Sequence, residues 1–431
     1  MIALRFRGPL ASLSSDDRRA LFDRSSPNDS ETNTVVATII ADVRGRGDGA
    51  LRDLAARFDP VVPERFEVSR AVRRRALDGL DPAVRRAMQR SADNIATVHR
   101  ASMPRPVEVA PEPGITIRRR PDPLARVGVY APGGRAAYPS SVLMGAVPAR
   151  VAGVSEVVLC SPPTGTGAPS DIVLAAAELA EVDYVYAVGG AGAIAAMAFG
   201  TTTIPRVDRI VGPGNAYVAA AKLQLVGSVA IDSPAGPSEL VVIADATSSP
   251  DLVASELLAQ AEHDPLACVV AICISDEVAR AVERALASAI DGQPRASIIR
   301  CALRDQGGVI SVASVDEAVA AATAYAPEHL LIACVDAGSV ADRIRGAGTI
   351  FIGERSSVAF GDYLTGANHV LPTGGLARAY SGLSVLDFFR WTTTQCVDST
   401  AARSLSADTA VFAMAEGLPG HALAAERWSL A

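Results

Sequence analysis

Short apolar runs alternate with helical hydrophobic patterns from about residue 126 onward, in one series that ends near Asp232 and a second that begins near residue 239. Apolar runs of strand length separated by helical segments are typical of βαβ units and parallel sheets. The pattern therefore predicts two similar α/β units in tandem, after an N-terminal stretch of about 125 mainly helical residues. The expected strands are RVGVYA, EVVLC, DYVYAV, DRIV and SVAI in the first unit, and ELVVIA, ACVVAICI, GVISV, LLIACV and TIFIG in the second.

Helix boundaries are marked most clearly in the second unit. Ser249 followed by Pro250 supplies an N-cap and a first-turn proline, and SVDE at 314–317 has the pattern of a capping box. Pro327 disfavours helical backbone at the residue before it. The helix that starts near residue 315 is therefore expected to end at Ala326.

Composition and charge favour a globular enzyme over a disordered or nucleic-acid-binding protein. The chain has 431 residues, 49% of them hydrophobic, and can bury a large core. Its formal net charge of −7 opposes nucleic-acid binding, and the basic run from Arg70 to Arg90 is interpreted as the solvated face of helices. Neither a secretion signal nor an apolar segment of membrane-spanning length is found, so a cytoplasmic location is expected.

The six cysteines are predicted to be buried free thiols. Most of them lie in apolar runs and none forms a C-x-x-C motif, which disfavours both a disulfide framework and a thiolate metal site. They are Cys160, Cys268, Cys273, Cys301, Cys334 and Cys396.

Histidine is scarce, and four of the five histidines fall in about the last 170 residues beside carboxylates or amides. These four are His263, His329, His369 and His421. Imidazole is the commonest metal ligand and the side chain best suited to proton transfer near neutral pH. We therefore hypothesise one polar site assembled from distant segments, while His99, on a polar helix, is expected to be structural.

Gln260 and His263 are three residues apart near a helix end, so both side chains project from one face. That spacing is compatible with metal ligation, but a helix-terminal histidine more often interacts with the last carbonyls. Glu416 and His421 flank a helix stop, where a helix cap with an exposed histidine is the alternative. Together with Asp362, the two histidines and the glutamine would suit zinc, manganese or cobalt, although spacing leaves open whether they meet.

Glu328 and His329 are expected on the loop that enters the strand LLIACV. An adjacent acid and imidazole can share proton-transfer work, and a surface pair without partners is the alternative. Asp362 and His369 flank a glycine-containing loop that follows a strand. Ligands collect at that position in open α/β sheets.

Three glycine-containing loops are candidates for cofactor binding. Gly190, Gly192 and Ala195 match G-x-G-x-x-A, with Asp208 about 18 residues beyond. Such a loop can place a pyrophosphate at a helix N-terminus, but close helix packing explains the match equally well. The other two loops are GPGNAYV, from residue 212, and YAPGG, from residue 130.

These motifs, taken in order, resemble those of the histidinol dehydrogenase family over essentially the whole chain. They are RGDGAL, RVGVYAPGG, YPSSVLM, GPGNAYVAAAK, IDSPAGPSE, QAEHDP, APEHL, FGDYLTGANHVLPTGG, GLSVLDFFRW and AEGLPGH. The resemblance implies an NAD-dependent enzyme that oxidises L-histidinol through L-histidinal to L-histidine, a four-electron reaction that ends histidine biosynthesis.

The same resemblance implies an α/β fold with two Rossmann-like parallel-sheet domains in tandem and small helical N- and C-terminal segments. The expected divisions are a segment at 1–25, a first domain from 26–129 with 236–383 that carries the zinc and catalytic residues, a second domain at 130–235 on the NAD side, and a tail at 384–431. The family's chains form a homodimer in which the tail of one chain completes the active site of the other.

Carried over to this sequence, the family's pattern implies one Zn²⁺ per subunit and a defined set of site residues. The implied zinc ligands, which also contact substrate, are Gln260, His263, Asp362 and His421. The other implied substrate contacts are Ser238, His329, His369 and Glu416. The implied NAD positions are Tyr130, Gly192 and Asn215. His329 would act as general base and Glu328 would help to activate water, whereas zinc would chiefly orient the substrate.

The chain departs from the family pattern at two positions. Gly192 stands where a glutamine that touches NAD is common, and Gly145 stands where an asparagine is common after VLM. The first departure creates the G-x-G-x-x-A match, which we therefore interpret as a lost side-chain contact with NAD.

Three other functions are considered. A dehydrogenase of the same fold could act on another alcohol, such as a polyol or a sulfonated diol, but His369 and Glu416 suit an imidazole and an amine. A zinc hydrolase in which Glu328 activates water would not reduce NAD. An inactive binding protein would need losses at the zinc or base positions, and none is found.

Overall fold

The computed structural model describes residues 2–24, 30–133 and 137–429. Gly134, the last residue of the YAPGG loop, lies outside the described residues. The strands are β1 (Phe6–Pro9), β2 (Val107–Val109), β3 (Ile115–Pro123), β4 (Arg126–Tyr130), β5 (Glu156–Ser161), β6 (Tyr184–Ala187), β7 (Arg209–Val211), β8 (Ala230–Ile231), β9 (Glu239–Ala244), β10 (Cys268–Cys273), β11 (Gly308–Ser311), β12 (His329–Ala333), β13 (Thr349–Ile352) and β14 (Phe389–Val397).

Helices precede, separate and follow these strands. They are α1 (Ser15–Phe22), α2 (Ser30–Arg46), α3 (Asp48–Phe58), α4 (Arg70–Asp78), α5 (Pro82–Ala101), α6 (Pro139–Ala152), α7 (Asp171–Leu179), α8 (Gly190–Phe199), α9 (Ala216–Gln224), α10 (Pro250–Ala261), α11 (Asp276–Ala289), α12 (Ala296–Gln306), α13 (Val315–Tyr325), α14 (Ala337–Arg343), α15 (Val358–Tyr363), α16 (Ser399–Ala415) and α17 (Pro419–Glu426).

The first predicted α/β unit forms a five-stranded parallel sheet with the order β6-β5-β4-β7-β8. All five predicted strands are confirmed. Apolar residues on one face of the sheet pack with α6 and α7, and those on the other face pack with α8 and α9. The two-sided covering is the reason that the strands are almost continuously apolar.

The N-terminal helices pack on the outer side of the helices that cover this first sheet. Helix α2 packs on α8 and α9, α4 packs on α7, and α5 packs on α6. Residues 30–101 therefore pack with the unit at 130–235, and α5 also bonds to the second unit through Ser91 and Asn94, which donate to the carbonyls of Tyr363 and Leu364. The basic run on α4 and α5 is mostly exposed as predicted, except that Arg73 is buried and donates hydrogen bonds to the carbonyls of Val182 and Asp183.

The second predicted unit forms a six-stranded parallel sheet with the order β1-β11-β10-β9-β12-β13. Its five predicted strands are confirmed, which establishes the predicted α/β class with two parallel sheets. The sixth strand, β1, comes from the N-terminal segment and pairs with β11 at the sheet edge. That segment was expected to be a helical appendage, so the expectation is wrong for Phe6–Pro9.

A third, antiparallel sheet joins the tail to the N-terminal half in the order β14-β3-β2. Strand β14 pairs with β3 along its whole length, from Phe389 opposite Pro123 to Val397 opposite Ile115. The expectation of helix throughout the first 125 residues is therefore also wrong at β2 and β3. Strand β3 pairs with β14, a partner far away in the sequence, which local periodicity does not reveal.

The predicted helix boundaries in the second unit are confirmed. Ser249 caps α10 by accepting the N–H of Leu252, and α13 ends before Ala326, which has a left-handed backbone with φ of 52°. Ser314 accepts the N–H of Glu317, as in a capping box, but the Glu317 carboxylate accepts the N–H of Ala313 instead of that of Ser314. Three helices, α12, α14 and α15, were not predicted.

All six cysteines are free thiols, as predicted, but only three of them are buried. Cys268 and Cys301 are partly exposed and Cys396 is exposed, so the prediction of burial is wrong at these positions. Within the described ranges, every helix is too short or too polar to cross a lipid bilayer.

Candidate active site

Glu328 and His329 lie at the amino end of β12, and both are buried. The chain reaches them through the left-handed turn at Ala326. His329 is the first residue of the strand, paired with Leu240 of β9 and Thr349 of β13. The expectation of a loop that enters the strand is therefore confirmed for Glu328 and wrong for His329, and the alternative of a surface pair without partners is wrong.

The hydrogen bonds of His329 define which ring nitrogen can accept a proton. Its Nδ1 lies 3.0 Å from the carbonyl oxygen of Glu239. A carbonyl oxygen only accepts, so Nδ1 donates and the neutral ring carries its free lone pair on Nε2. Burial by itself opposes a charge on the ring, but the carboxylates of Glu328 and Asp362 outweigh it and raise the pKa of His329 well above its usual value. His329 is thus equipped to take up a proton at Nε2.

Asp362 and His369 lie next to this pair. Asp362, on α15, places its Oδ1 3.6 Å from Nε2 of His329, and its backbone carbonyl lies 2.9 Å from Nδ1 of His369. Burial opposes the charge on Asp362, but the hydrogen bond to His329 and the neighbouring His369 and His263 lower its pKa. Loss of hydration lowers the pKa of His369. The Asp362 carboxylate therefore faces His329, and its backbone carbonyl faces His369.

Gln260 and His263 approach the same carboxylate from α10. Gln260 is buried near the end of that helix, and His263 follows in the turn after Glu262. Helix α10 packs against α15, which brings both residues toward Asp362. The proximity of His263 to Asp362 is also expressed in the lowered pKa of the carboxyl group. The helix that carries Gln260 thus packs beside the helix that carries Asp362.

These residues gather at the amino ends of the strands in the six-stranded sheet. Ser238 directly precedes β9, and its backbone carbonyl accepts the N–H of Cys268, the first residue of β10. Glu328 directly precedes β12. Asp362 contacts His329 at this amino edge, whereas ligands in open α/β sheets usually collect at the carboxyl ends of strands.

Glu416 and His421 lie apart from this group, on the C-terminal pair of helices. Glu416 caps the end of α16 and His421 is in the first turns of α17, and both are exposed. Helices α16 and α17 pack on each other, and their buried alanines form a separate small hydrophobic cluster. The fourth predicted zinc ligand therefore does not join the other three within one chain.

The donor set of a single chain is incomplete for zinc. Among residues 2–24, 30–133 and 137–429, no group of three or more His, Cys, Asp or Glu side chains is arranged to hold a metal ion. Gln260, His263 and Asp362 together offer one nitrogen and two oxygen donors, a mixture that zinc accepts. These three donors would fit a zinc site only with a fourth ligand that lies elsewhere in the fold or on another copy of the chain.

The predicted NAD residues lie at the carboxyl edge of the five-stranded sheet, where dinucleotides bind in open α/β folds. Tyr130 ends β4, is buried, and accepts the N–H of Gly190 at 3.0 Å. Burial raises the pKa of Tyr130 to about 12. Asn215, which is exposed, caps α9 by accepting the N–H groups of Tyr217 and Val218.

Both departures from the family pattern lie at close helix packing. A Cβ at Gly192 would lie 2.8 Å from the side chain of Leu54, where α8 meets α3. A Cβ at Gly145 would lie 2.8 Å from the side chain of Val129, where α6 crosses β4. Close helix packing, the alternative explanation for the G-x-G-x-x-A match, is therefore supported at its second glycine, Gly192.

The two candidate regions adjoin each other through α6. The side-chain amide of Asn368 donates to the carbonyl of Met144 at 2.8 Å, which ties the loop before His369 to that helix. Helix α6 follows β4, the strand that ends at Tyr130. The loop before His369 therefore packs against the helix that follows the Tyr130 strand.

Sequence reasoning missed a buried ion pair beneath the GPGN loop. Lys222 pairs with Asp232, and each of the two side chains forms a hydrogen bond with the backbone of Gly212. Lys222 Nζ donates to the Gly212 carbonyl at 3.0 Å, and the Asp232 carboxylate accepts the Gly212 N–H at 2.7 Å. Gly212 has φ of 114°, and a Cβ there would lie 2.1 Å from the carbonyl oxygen of Tyr130. A lysine among the alanines of AYVAAAKLQLV was the available signal.

A second missed pair stands behind the catalytic candidates. Arg24 Nη1 lies 2.8 Å from Oε1 of Glu239, and both side chains are buried. The signal for Glu239 was a carboxylate directly before the apolar run LVVIA. Arg24 carried no signal, because its importance depends on a partner more than 200 residues away.

Comparison with known proteins places this geometry in a family. The model of the family described as histidinol dehydrogenase matches residues 22–428. The histidinol dehydrogenase of Methanothermobacter thermautotrophicus is 48% identical over 387 residues, which cover 90% of this chain and 91% of the relative. That of Methanosarcina barkeri is 42% identical over 423 residues, covering 98% and 97%.

A solved structure gives the same answer at the level of the fold. The crystal structure of histidinol dehydrogenase from Elizabethkingia anophelis superposes with a TM-score of 0.93 at 33% sequence identity, covering 99% of each chain. The family model, the relatives and the fold all extend over nearly the full length. The chain belongs to the histidinol dehydrogenase family.

Proposed function

We propose that the chain oxidises L-histidinol to L-histidine through L-histidinal, with two molecules of NAD as electron acceptors. These would be the final steps of histidine biosynthesis. Membership of the family supports this reaction class, and the observation that carries it here is the buried pair Glu328–His329 beside Asp362. The reaction needs a base at the alcohol, an activated water, and sites for the imidazole and amine of the substrate.

In the first oxidation, His329 would remove the hydroxyl proton through Nε2. The hydrogen on the carbinol carbon leaves with its electron pair for the nicotinamide, and the carbon–oxygen bond becomes a carbonyl. The hydrogen bond from Nδ1 to the Glu239 carbonyl supports this role, because it keeps the lone pair of the neutral ring on Nε2.

In the second oxidation, Glu328 would help to activate the water that adds to the aldehyde. The resulting hydrate is again an alcohol at the same carbon, so the same base can remove its hydroxyl proton while a second hydride leaves. The Glu328 carboxylate lies 3.4 Å from Nδ1 of His329, so acid and base act within one cluster.

A zinc ion would be held by Gln260, His263 and Asp362 of one subunit and by His421 of a second copy. When bound, it would supply a site for substrate nitrogen atoms and so fix the orientation of the alcohol. Ser238, His369 and Glu416 are the other residues that we assign to substrate contact.

NAD would bind at the carboxyl edge of the five-stranded sheet. Tyr130 and Asn215 flank this edge, and Gly192 lies one turn into α8. Because Gly192 has no side chain, we expect weaker NAD binding than in relatives that carry a glutamine at this position.

A homodimer with shared active sites would complete the site. Two observations support it: Glu416 and His421 are exposed on the tail, and the tail carries a cluster of exposed large apolar side chains. Such a patch is typical of an interface. These side chains are Val411, Phe412, Met414, Leu423 and Trp428. We place the enzyme in the cytoplasm, because six free thiols are typical of a reducing compartment.

The decisive experiment measures product stoichiometry. Purified protein with Zn²⁺, NAD and L-histidinol should form about two NADH per substrate consumed, with L-histidine as the product. Turnover of a polyol or a sulfonated diol without turnover of histidinol would overturn the proposed substrate. Substrate consumption without NADH would overturn the dehydrogenase.

A further inference from the structure

We propose that Arg24 and Glu239 are positioning residues that orient the Glu328–His329 pair from behind. The inference rests on the proposed function, because it assigns a task to residues that support that function's catalytic pair. Neither residue is among the substrate, zinc or NAD contacts assigned above.

Glu239 contacts the catalytic pair through three different groups. Its N–H donates to the Glu328 carboxylate at 2.7 Å, and its carbonyl accepts from Nδ1 of His329 at 3.0 Å. Its own carboxylate accepts the N–H of Glu328 at 3.3 Å. The exchange between Glu239 and Glu328 is reciprocal, so the position of each carboxylate depends on the backbone of the other.

The Glu239 carboxylate interacts with three hydrogen-bond donors. Its Oε1 accepts the N–H of Gly374 at 2.7 Å and pairs with Arg24, while Oε2 accepts from Glu328. Burial raises the pKa of Glu239, and the positive charge of Arg24 opposes that rise. Three donors around one side chain require an acceptor on both oxygens, which an amide does not provide.

Arg24 holds the other end of the short segment that leads to Glu328. Its guanidinium lies 3.3 Å from the centre of the Tyr325 ring, and it donates to the Tyr325 carbonyl at 2.5 Å. Tyr325 is the last residue of α13, directly before the left-handed turn at Ala326. One buried cation therefore anchors both Glu239 and the start of the turn.

In this arrangement, Arg24 and Glu239 orient the catalytic pair, and His329 transfers the proton. Without Arg24, the Glu239 carboxylate would be left buried without its cation, and the turn before Glu328 would lose its anchor. The carboxylate and the imidazole would then adopt several orientations. Because the zinc and NAD residues are untouched, the rate of the bound complex should fall more than the affinity for substrate.

The test compares Arg24→Met, Arg24→Lys and Glu239→Gln with the wild type. Removal of the charge in Arg24→Met and of one acceptor in Glu239→Gln should lower kcat about 10- to 100-fold, with the KM for histidinol changed less than about threefold. Arg24→Lys retains the cation and should recover most of the lost kcat. Unchanged kcat in folded Arg24→Met and Glu239→Gln would overturn the inference.

Arg73→Met is the matched control for a merely structural role. Arg73 is also a buried arginine that donates to backbone carbonyls, but α4 and the Val182–Asp183 segment carry no candidate site residue. Both arginine-to-methionine variants should lower the unfolding temperature, and only Arg24→Met should lower kcat. An equal loss of kcat in Arg73→Met would reduce Arg24 to a stabilising residue and overturn its positioning role.

Crystal structures separate this inference from the proposed function. If the wild type turns over no histidinol, the proposed function fails, and the positioning role is judged by the Glu328 carboxylate in Arg24→Met. Its displacement by more than about 1 Å would support the role, since catalytic groups need placement on that scale. An unmoved, ordered carboxylate would contradict it.

Discussion

At the scale of single residues, buried charges mark the functional region. His329, Glu328 and Glu239 are each almost completely buried, and a buried ionisable group is costly unless it is paired. The carboxylates around His329 raise its pKa, whereas His369 has a lowered pKa. The two carboxylates thus favour a proton on His329, whereas burial favours the neutral ring of His369.

His329→Asn and His263→Ala should separate proton transfer from metal binding. His329→Asn removes the base, so kcat should fall by about 10² to 10⁴ with bound zinc retained. His263→Ala removes a ligand, so zinc content and activity should fall together. Both quantities are read from metal analysis of the purified variants and from NADH formation.

A His263→Ala variant that keeps a full equivalent of zinc would contradict the assignment of His263 as a ligand. Loss of zinc from His329→Asn would instead place His329 in the metal site.

At the scale of elements, the two groups of candidate residues lie at opposite kinds of strand end. The six-stranded sheet contributes the amino ends of β9 and β12, and the five-stranded sheet contributes the carboxyl ends of β4 and β7. Helix α6, which follows β4, contacts the loop before His369 through Asn368. The helix that follows β7 begins at the GPGN loop, which the Lys222–Asp232 pair holds in place.

Lys222→Met should weaken NAD binding more than histidinol binding. Loss of the ammonium group releases the carbonyl of Gly212 and leaves Asp232 without its cation, so the loop that carries Asn215 would lose its fixed position. We expect the KM for NAD to rise about tenfold, with the KM for histidinol nearly unchanged, measured by varying each substrate in turn.

Gln224→Ala, on the same helix but exposed, is the matched control and should change neither KM. Equal effects of the two substitutions on NAD binding would contradict a specific role for the buried pair.

At the scale of the whole molecule, the tail is separate from the site that it should complete. Strand β14 attaches the tail to β3, and beyond it α16 and α17 pack mainly on each other. His421 is exposed there, while its proposed partners lie on α10 and α15. A second copy of the chain can supply the missing ligand without any change in this fold.

Mixed dimers of two inactive variants should regain activity. In a dimer of His329→Asn with His421→Ala, one site combines both substitutions and the other has neither. Co-expression in equal amounts should therefore give about a quarter of wild-type activity, because half of the dimers are mixed. Activity is measured on the purified mixture, and each variant alone serves as the control.

No recovery, with mixed dimers demonstrated by two different affinity tags, would contradict shared active sites. A site contained in one chain would leave both sites of the mixed dimer defective.

The residues of the candidate site could be predicted from the sequence, but their position in the fold could not. Motif resemblance named Glu328, His329 and Asp362, and the structure brings these three together. The start of the strand at His329 and the burial of both residues were not predicted, because the sequence near Pro327 shows where a helix ends but not what covers the residues that follow. Arg24 and Lys222 were missed because their roles come from partners that are distant in the sequence or are backbone groups.

The sequence by itself determined the strands, the main helices and their ends in the two parallel units. Hydrophobic periodicity, an N-cap at Ser249 and a proline after Ala326 act on neighbouring residues, so they are visible locally. Only the tertiary structure decided that β1 and β14 join sheets, that the site lies at the amino edge of one sheet, and that His421 is separated from Asp362. These features depend on contacts between distant segments, whose free energy is set by packing and not by local pattern.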